Sequence, residues 1–359
     1  RHHGRLSLPV PAAHAEIGHN PDGRCERAER VGRLRNPEKR TCQPVRAEEN
    51  RRTAYAADHR RIEQRGAQDA LGVPVEFAPR DSYLVTEMTG YGTYRQLPGT
   101  WSDDSSMTLA TLESFKRKGC VDPADIMQNF FLWLFEKRFT ARDYVFDVGN
   151  ACRKAIWTYG QGVAPQNCGG TGERDNGNGA LMRMLPLGLL LEGTDEAKAA
   201  AVRQVAGLTH NHMISHIGCL IYVFVVGELL RGSEKREALS SALERAVRIY
   251  GNEPAWQNYV RLPEIETLSR EEIKSSGYVV DTLEAALWCL LRTESYRDCA
   301  LLAVNLGEDT DTVGAVAGGL AGLIYGLDSK TGIPAEWIEV IPRKEWIREL
   351  CEGVEAIRC

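Results

Sequence analysis

The chain is most informative first in what it lacks. Its ten cysteines are scattered at 25, 42, 120, 152, 168, 219, 289, 299, 351 and 359 with no Cys-x-x-Cys pair. That argues against a thiolate zinc site and against a disulfide scaffold. Several lie inside apolar runs, as Cys219 and Cys289 do, so reduced and mostly buried thiols in a cytoplasmic protein are expected. No signal-peptide core and no membrane-spanning segment are read from the pattern. An excess of one charge is also missing. With 44 basic and 49 acidic residues the net charge is −5, which recruits neither nucleic acid nor an anionic membrane. Alternation of period two is nearly absent, and no repeat period is found.

The first 65 residues are poor in aromatics, with Tyr55 alone and no tryptophan, yet hold 14 arginines and 5 of the 8 histidines. So little apolar surface does not sustain a core. Residues 1–60 are therefore expected to be a basic, low-apolar segment that is disordered, vector-derived or non-native. A basic arm for an acidic partner is the competing reading. Residues 61–359 are expected to form one domain, since 43% hydrophobic residues in a chain of 359 suffice for a large core.

From there helical periodicity follows helical periodicity, and the fold class is all-α, with a compact multi-helix domain expected. Gln68 to Phe77 reads as a helix end stopped by Gly72 and Pro74. Asp81 to Leu97 is loop-like, and Gln161 to Gly179 is a long Gly- and Asn-rich loop placed to meet a ligand.

Two helix mouths carry the chemistry. Gly99-Thr100-Trp101-Ser102-Asp103-Asp104-Ser105-Ser106-Met107 opens one helix. Leu306-Gly307-Glu308-Asp309-Thr310-Asp311-Thr312 opens another, an apolar run with Gly318, Gly322 and Gly326 at a spacing of four. Such a glycine ridge costs about 1 kcal/mol per glycine and so points to closely approaching helices. Asp309 or Thr312 acting only as a helix cap is the plainer reading. A cap needs one such residue, whereas unpaired carboxylates at a packed mouth repel unless a cation neutralises them. Taken together, Ser102, Asp103, Asp104, Asp309, Asp311 and Thr312 form an all-oxygen set that suits Mg²⁺, Mn²⁺ or Ca²⁺ and argues against zinc or copper. Four carboxylates exceed the need of one ion, so two ions with shared ligands are expected.

Gly-Thr-Trp-Ser-Asp-Asp-Ser-Ser-Met, then Gly177 to Leu190, then Leu208 to His212, then the Leu306 to Gly326 stretch occur in an order that resembles the ADP-ribosylglycohydrolases. The similarity spans roughly Gln68 to Trp337. It implies an all-helical fold around two Mg²⁺ or Mn²⁺ ions and hydrolysis of the glycosidic bond between ADP-ribose and a protein side chain. By the same resemblance, Ser102, Asp103 and Asp104 correspond to the first ligand triplet, and Asp309, Asp311 and Thr312 to the second. Glu76 is similar to the glutamate of a mobile closing segment, and Gly177, Asn178 and Gly179 to the loop that meets the diphosphate and ribose. His210 matches a histidine placed near ADP-ribose, or is a helix-boundary histidine with no ligand. Val145-Phe146-Asp147-Val148-Gly149-Asn150 resembles the stretch in which an aspartate meets the target guanidinium of arginine-type members; Asp147 is otherwise a helix cap. Asp103, Asp147, Glu76 and Asp311 are the expected catalytic residues, with a carboxylate as general base or leaving-group partner.

Two departures from that pattern stand out: Gln68 precedes Asp69 where glycine is usual, and Glu308 stands where many members have glycine. The expected substrate is an ADP-ribosylated protein or an ADP-ribosyl small molecule, arginine-linked in preference, with no nucleic acid and no membrane partner. A catalytically silent ADP-ribose-binding or structural protein, a serine- or other O-linked hydrolase, and a metal-dependent phosphohydrolase are the alternatives.

Overall fold

The computed structural model describes residues 66–326 and 330–358. The expectations for residues 1–60, and those for Cys25, Cys42 and Cys359, lie outside the described residues. Described in chain order, the helices are α1 (Asp103–Lys118), α2 (Pro123–Glu136), α3 (Asn150–Gly160), α4 (Leu185–Leu190), α5 (Asp195–Ala206), α6 (Met213–Leu230), α7 (Lys235–Tyr250), α8 (Val279–Leu291), α9 (Tyr296–Val304), α10 (Thr310–Tyr325), α11 (Ala335–Glu339) and α12 (Lys344–Arg358). A further helical segment, residues 66–72, precedes α1 and runs into a single 3-10 turn, Val73–Val75. Among the described residues no β-strand forms. Three isolated bridges, Tyr91–Gln96, Gly170–His210 and Gly177–Tyr278, tie loops instead. The all-α reading stands.

Helix α6 is the hub. It packs against α4, α5, α7, α8 and α10. At 18 residues and a mean hydropathy of 2.0 it is long and apolar enough to cross a membrane by length and composition. Its surroundings decide its role: 83% of the helix is buried inside the fold, as for a core helix. The expectation of unpaired, mostly buried cysteines holds among the described residues. All seven there are free thiols, and only Cys120 is exposed.

Helix α1 is unusual in burying polar residues, among them Ser106, Thr108 and Thr111. Each hydroxyl is satisfied within the helix: Ser106 donates to Ser102 O, Thr108 to Asp104 O and Thr111 to Met107 O, at 2.7–2.8 Å. The helix thereby carries its polar N-terminus into the interior without stranding donors. Gly119, at φ +68°, ends it in the left-handed conformation that glycine adopts at least cost.

The glycine ridge of α10 is shifted from its expected register. Gly314 and Gly318 face Gln68, and a Cβ on Gly318 would overlap the Gln68 side chain. Gly326 lies past the helix end at φ +57°, with open space around it. The close neighbour is the segment 66–72. At its end Gly72 lies so near α10 that a Cβ there would stand 2.5 Å from the Asp311 Cα and N. This contact fixes the segment, and the turn after it, against the second helix mouth.

Candidate active site

The two acidic helix mouths meet. Thr312 donates from Oγ1 to Asp104 Oδ2 over 3.1 Å, and Ser102 donates from Oγ to the same oxygen at 3.1 Å. Ser102 caps α1, its hydroxyl accepting from the Asp104 N–H. At the other mouth the cap reading fails. Asp309 holds the N-cap position of α10, yet its carboxylate caps no N–H of the helix. Asp309 Oδ2 accepts from the Asn178 side chain at 2.9 Å instead, and Oδ1 is buried without a hydrogen-bond partner among the described residues.

Five carboxylates converge here in two overlapping groups of three. Ligand oxygens of Glu76, Asp309 and Asp311 lie within 4.8 Å of one another, and so do those of Asp69, Asp104 and Asp311. Asp311 is common to both groups. Glu76 Oε2 and Asp311 Oδ2, like Asp309 Oδ1, are buried with no partner among the described residues. No lysine or arginine among the described residues forms an ion pair with Glu76, Asp309 or Asp311. Orphaned anionic oxygens at this density are costly unless a cation completes them. The donor set is all carboxylate and hydroxyl, so the residues present fit hard divalent cations, with Asp311 as the shared ligand.

The electrostatics carry the same message. Burial pushes the Glu76 carboxyl up to about 9, with Asp147 and Asp309 adding to the shift. Burial likewise holds Asp311 well above the carboxylate range, reinforced by Glu76 and Asp104. Asp103 is raised by burial and then by Asp147 and Asp104. Each carboxyl resists ionising chiefly because it is buried, and further because its neighbours are also acids.

Asp147 does not cap α3. Gly149 holds the N-cap position with no side-chain cap, and the Asp147 carboxyl is raised by burial, with Tyr94, Asp309 and Asp103 close enough to bear on it. Asp103 in turn accepts from the Gly149 N–H at 3.2 Å. Helix α3 thus begins against the first mouth and brings Asp147 into the carboxylate cluster.

The segment Gly177–Gly179 lies on the opposite flank. The Asn178 side chain donates to both Asp309 and Thr282 at 2.9 Å, and its N–H donates to Gly277 O. Its amide is therefore committed to holding a carboxylate. His210 is buried against Gly177 and Gly179, its Nδ1 2.7 Å from the Thr209 hydroxyl. Burial, aided by Arg183, pushes its pKa down to about 3, so the ring is neutral at ordinary pH. His210 supports the segment from below as an uncharged wedge.

Sequence reasoning passed over three contributors. Asp69, fully buried, accepts from the N–H groups of Ser102 and Ser105 and from the Ser105 hydroxyl at 2.6–3.0 Å, which orients the first mouth. Burial, countered by those bonds, raises its pKa to about 6. An aspartate on the apolar face formed by Ala67, Ala70 and Leu71 was the available signal. Tyr94 sat in a stretch read only as loop. Arg80 was not singled out; it donates to Leu306 O, Arg270 O and Ile273 O at 2.6 Å, bracing the turn before Asp309. Beside it the Phe77 N–H donates to Glu308 O and the Glu308 N–H to Ala78 O, which ties the Glu76 turn to that same loop. Glu308 adopts φ +60°, the conformation that makes glycine the easier residue at its position.

Comparison with known proteins agrees with this geometry. The ADP-ribosylglycohydrolase family model matches residues 68–358. The chain is 33% identical over 285 residues to the ADP-ribosylarginine hydrolase Tri1 of Serratia proteamaculans, covering 79% of this chain and 75% of that protein. It is 34% identical over 299 residues to the ADP-ribosyl-[dinitrogen reductase] glycohydrolase of Rhodospirillum rubrum, covering 80% and 91%. A solved structure described as an ADP-ribosylglycohydrolase-related protein complex superposes with a TM-score of 0.72 at 31% identity, over 86% of this chain and all of that one. The chain belongs to the ADP-ribosylglycohydrolase family.

Proposed function

We propose that this chain hydrolyses the N-glycosidic bond between ADP-ribose and an arginine side chain of a modified protein, at a site that holds two divalent cations, Mg²⁺ or Mn²⁺. Family membership supports glycosidic-bond hydrolysis, and the two relatives named above act on ADP-ribosylated arginine and on ADP-ribosylated dinitrogen reductase. For the arginine linkage the carrying observation is Asp147, a carboxylate free of any cap role and drawn into the carboxylate cluster. A guanidinium is planar and permanently cationic, and a carboxylate receives it through two parallel hydrogen bonds. A serine hydroxyl gains little from that charge.

Asp104, Asp309, Asp311, Glu76 and Thr312 would hold the cations, with Ser102 beside them and Asp103 facing Asp147. When bound, the cations supply Lewis acidity toward ribose hydroxyls and lower the pKa of water. The remaining work falls to the chain's own groups. Asp147 orients the guanidinium leaving group and offsets the charge it carries as the anomeric bond loosens through an oxocarbenium-like state. The unpartnered Glu76 Oε2 is the oxygen open to take the proton of the attacking water. The Asn178 side chain keeps Asp309 in place; its own N–H is taken by Gly277 O, so backbone donors toward the diphosphate side would come from Gly177 and Gly179.

Product analysis on mono-ADP-ribosylated peptides that differ in the acceptor residue tests this reading. Release of ADP-ribose from the arginine-linked peptide ahead of the serine-linked one supports it. AMP with ribose phosphate would identify a phosphohydrolase, and no product from any peptide would identify a silent member.

A further inference from the structure

We propose that Tyr94 is a specificity-determining residue, its ring and hydroxyl forming with Asp147 the receptor for the planar cationic group of the acceptor side chain. The inference rests on the arginine reading and extends it to a residue outside the acidic motifs. Tyr94 closes a 3-10 turn, Gly92–Tyr94, packed directly on the Val73–Val75 turn that precedes Glu76. A Cβ on Gly92 would overlap the Pro74 carbonyl, and Thr93 donates to Glu76 O at 2.8 Å. The turn is bracketed by Tyr91 at φ +63° and Arg95 at φ +56°, both left-handed without being glycine. Such a conformation survives only where its surroundings enforce it, and it clusters at functional sites.

What the strained turn achieves is the placement of one ring. The Tyr94 hydroxyl stands among the site's acids, near enough to Glu76 and Asp147 to bear on the ionisation of both. Its ring packs on Phe146, with centroids 5.1 Å apart, and Tyr144 continues the row at 6.2 Å from Phe146. The wall is braced from behind: the Tyr144 hydroxyl donates to the Gln96 side chain and Arg142 Nε to the Thr100 hydroxyl at 2.9 Å. Tyr94, Phe146 and Asp147 are only partly buried, so the wall and the carboxylate are reachable from outside. A carboxylate beside aromatic rings satisfies both features of a guanidinium, its donor fork and its cationic face. A neutral hydroxyl acceptor uses neither.

Product inhibition separates the two halves of the substrate. Agmatine, a small guanidinium amine, probes the acceptor side, and ADP-ribose probes the other side. Tyr94→Leu, which removes the ring, is expected to weaken inhibition by agmatine roughly 10-fold while leaving inhibition by ADP-ribose within about twofold. Tyr94→Phe keeps the ring and should fall between the two. Unchanged agmatine inhibition in Tyr94→Leu, or a parallel loss of ADP-ribose inhibition in both variants, overturns the proposal. The arginine reading is scored separately, on the wild-type protein before any substitution. A wild type that leaves arginine-linked ADP-ribose intact sinks that reading, whereas an arginine hydrolase indifferent to Tyr94 sinks only this inference.

Discussion

The Thr312 hydroxyl reaches Asp104 Oδ2 across 3.1 Å, joining positions 208 residues apart in sequence. That single contact makes one site of two helix mouths. Capping accounts for only part of either cluster: Asp104 receives the hydroxyl from the other mouth, and Asp309, at the N-cap of α10, caps no N–H of its helix.

Asp147 should control the acceptor rather than the ADP-ribose. Asp147→Asn keeps the shape but removes the charge and turns one of the two acceptors into a donor. On an arginine-linked substrate kcat is expected to fall by roughly 100-fold, within the range for losing a group that acts in the transition state. Affinity for ADP-ribose, measured by calorimetry, should change by less than about threefold. Equal losses in both would mean that Asp147 only holds the fold.

Gln68 and Gly318 form a testable pair. The Gln68 amide is fully buried, and its Oε1 and Nε2 have no partner among the described residues. A buried polar group left unpaired costs about 1–3 kcal/mol. Gln68→Ala should therefore raise the stability measured by urea unfolding, even though it removes side-chain volume. Gly318→Ala should destabilise the wild type, because its Cβ collides with Gln68, and should be better tolerated in the Gln68→Ala background. Additive effects would show that the two do not touch in solution.

How far the sequence could be read depends on the kind of signal. Asp104, Asp309, Asp311 and Thr312 were legible because first-turn positions of a helix share a direction, and an excess of oxygen ligands over capping needs is visible in a string. Helix α7, Lys235–Tyr250, is of the kind a sequence shows, because its apolar spacing is regular. The six-residue 3-10 segments Pro254–Tyr259 and Leu262–Thr267 escaped, being too short to show a period. Tyr94 escaped for a different reason. Its placement depends on two left-handed non-glycine residues, for which no local pattern stands. The glycine ridge was found but misregistered, since which glycines meet a neighbour is set by Gln68, a tertiary contact.

His216 gives the pH dependence a sign. Its ring is buried with neither nitrogen partnered among the described residues, and burial lowers its pKa from 6.5 to about 4. Between those values the unfolded chain binds the proton and the folded protein does not, so stability falls as pH drops below 6.5. Above pH 6.5 the group contributes nothing. Replacing His216 with methionine removes this term. From pH 7 to pH 5 the wild type should lose about 2 kcal/mol more stability than His216→Met, as measured by urea unfolding at each pH. Parallel losses would mean that the ring is hydrated or paired.

The central claim is that the carboxylate cluster around Asp311 works through bound divalent cations on an ADP-ribosyl–arginine bond. The direct measurement is the release of ADP-ribose from an arginine-linked peptide by exhaustively chelated protein, its metal content checked by elemental analysis, before and after addition of Mg²⁺ or Mn²⁺. Asp311→Ala serves as a folded control whose circular dichroism matches the wild type. The account predicts no turnover without metal, recovery on addition of either ion, and no recovery in Asp311→Ala. Full turnover by the metal-free wild type, or near-normal activity in Asp311→Ala, would contradict it.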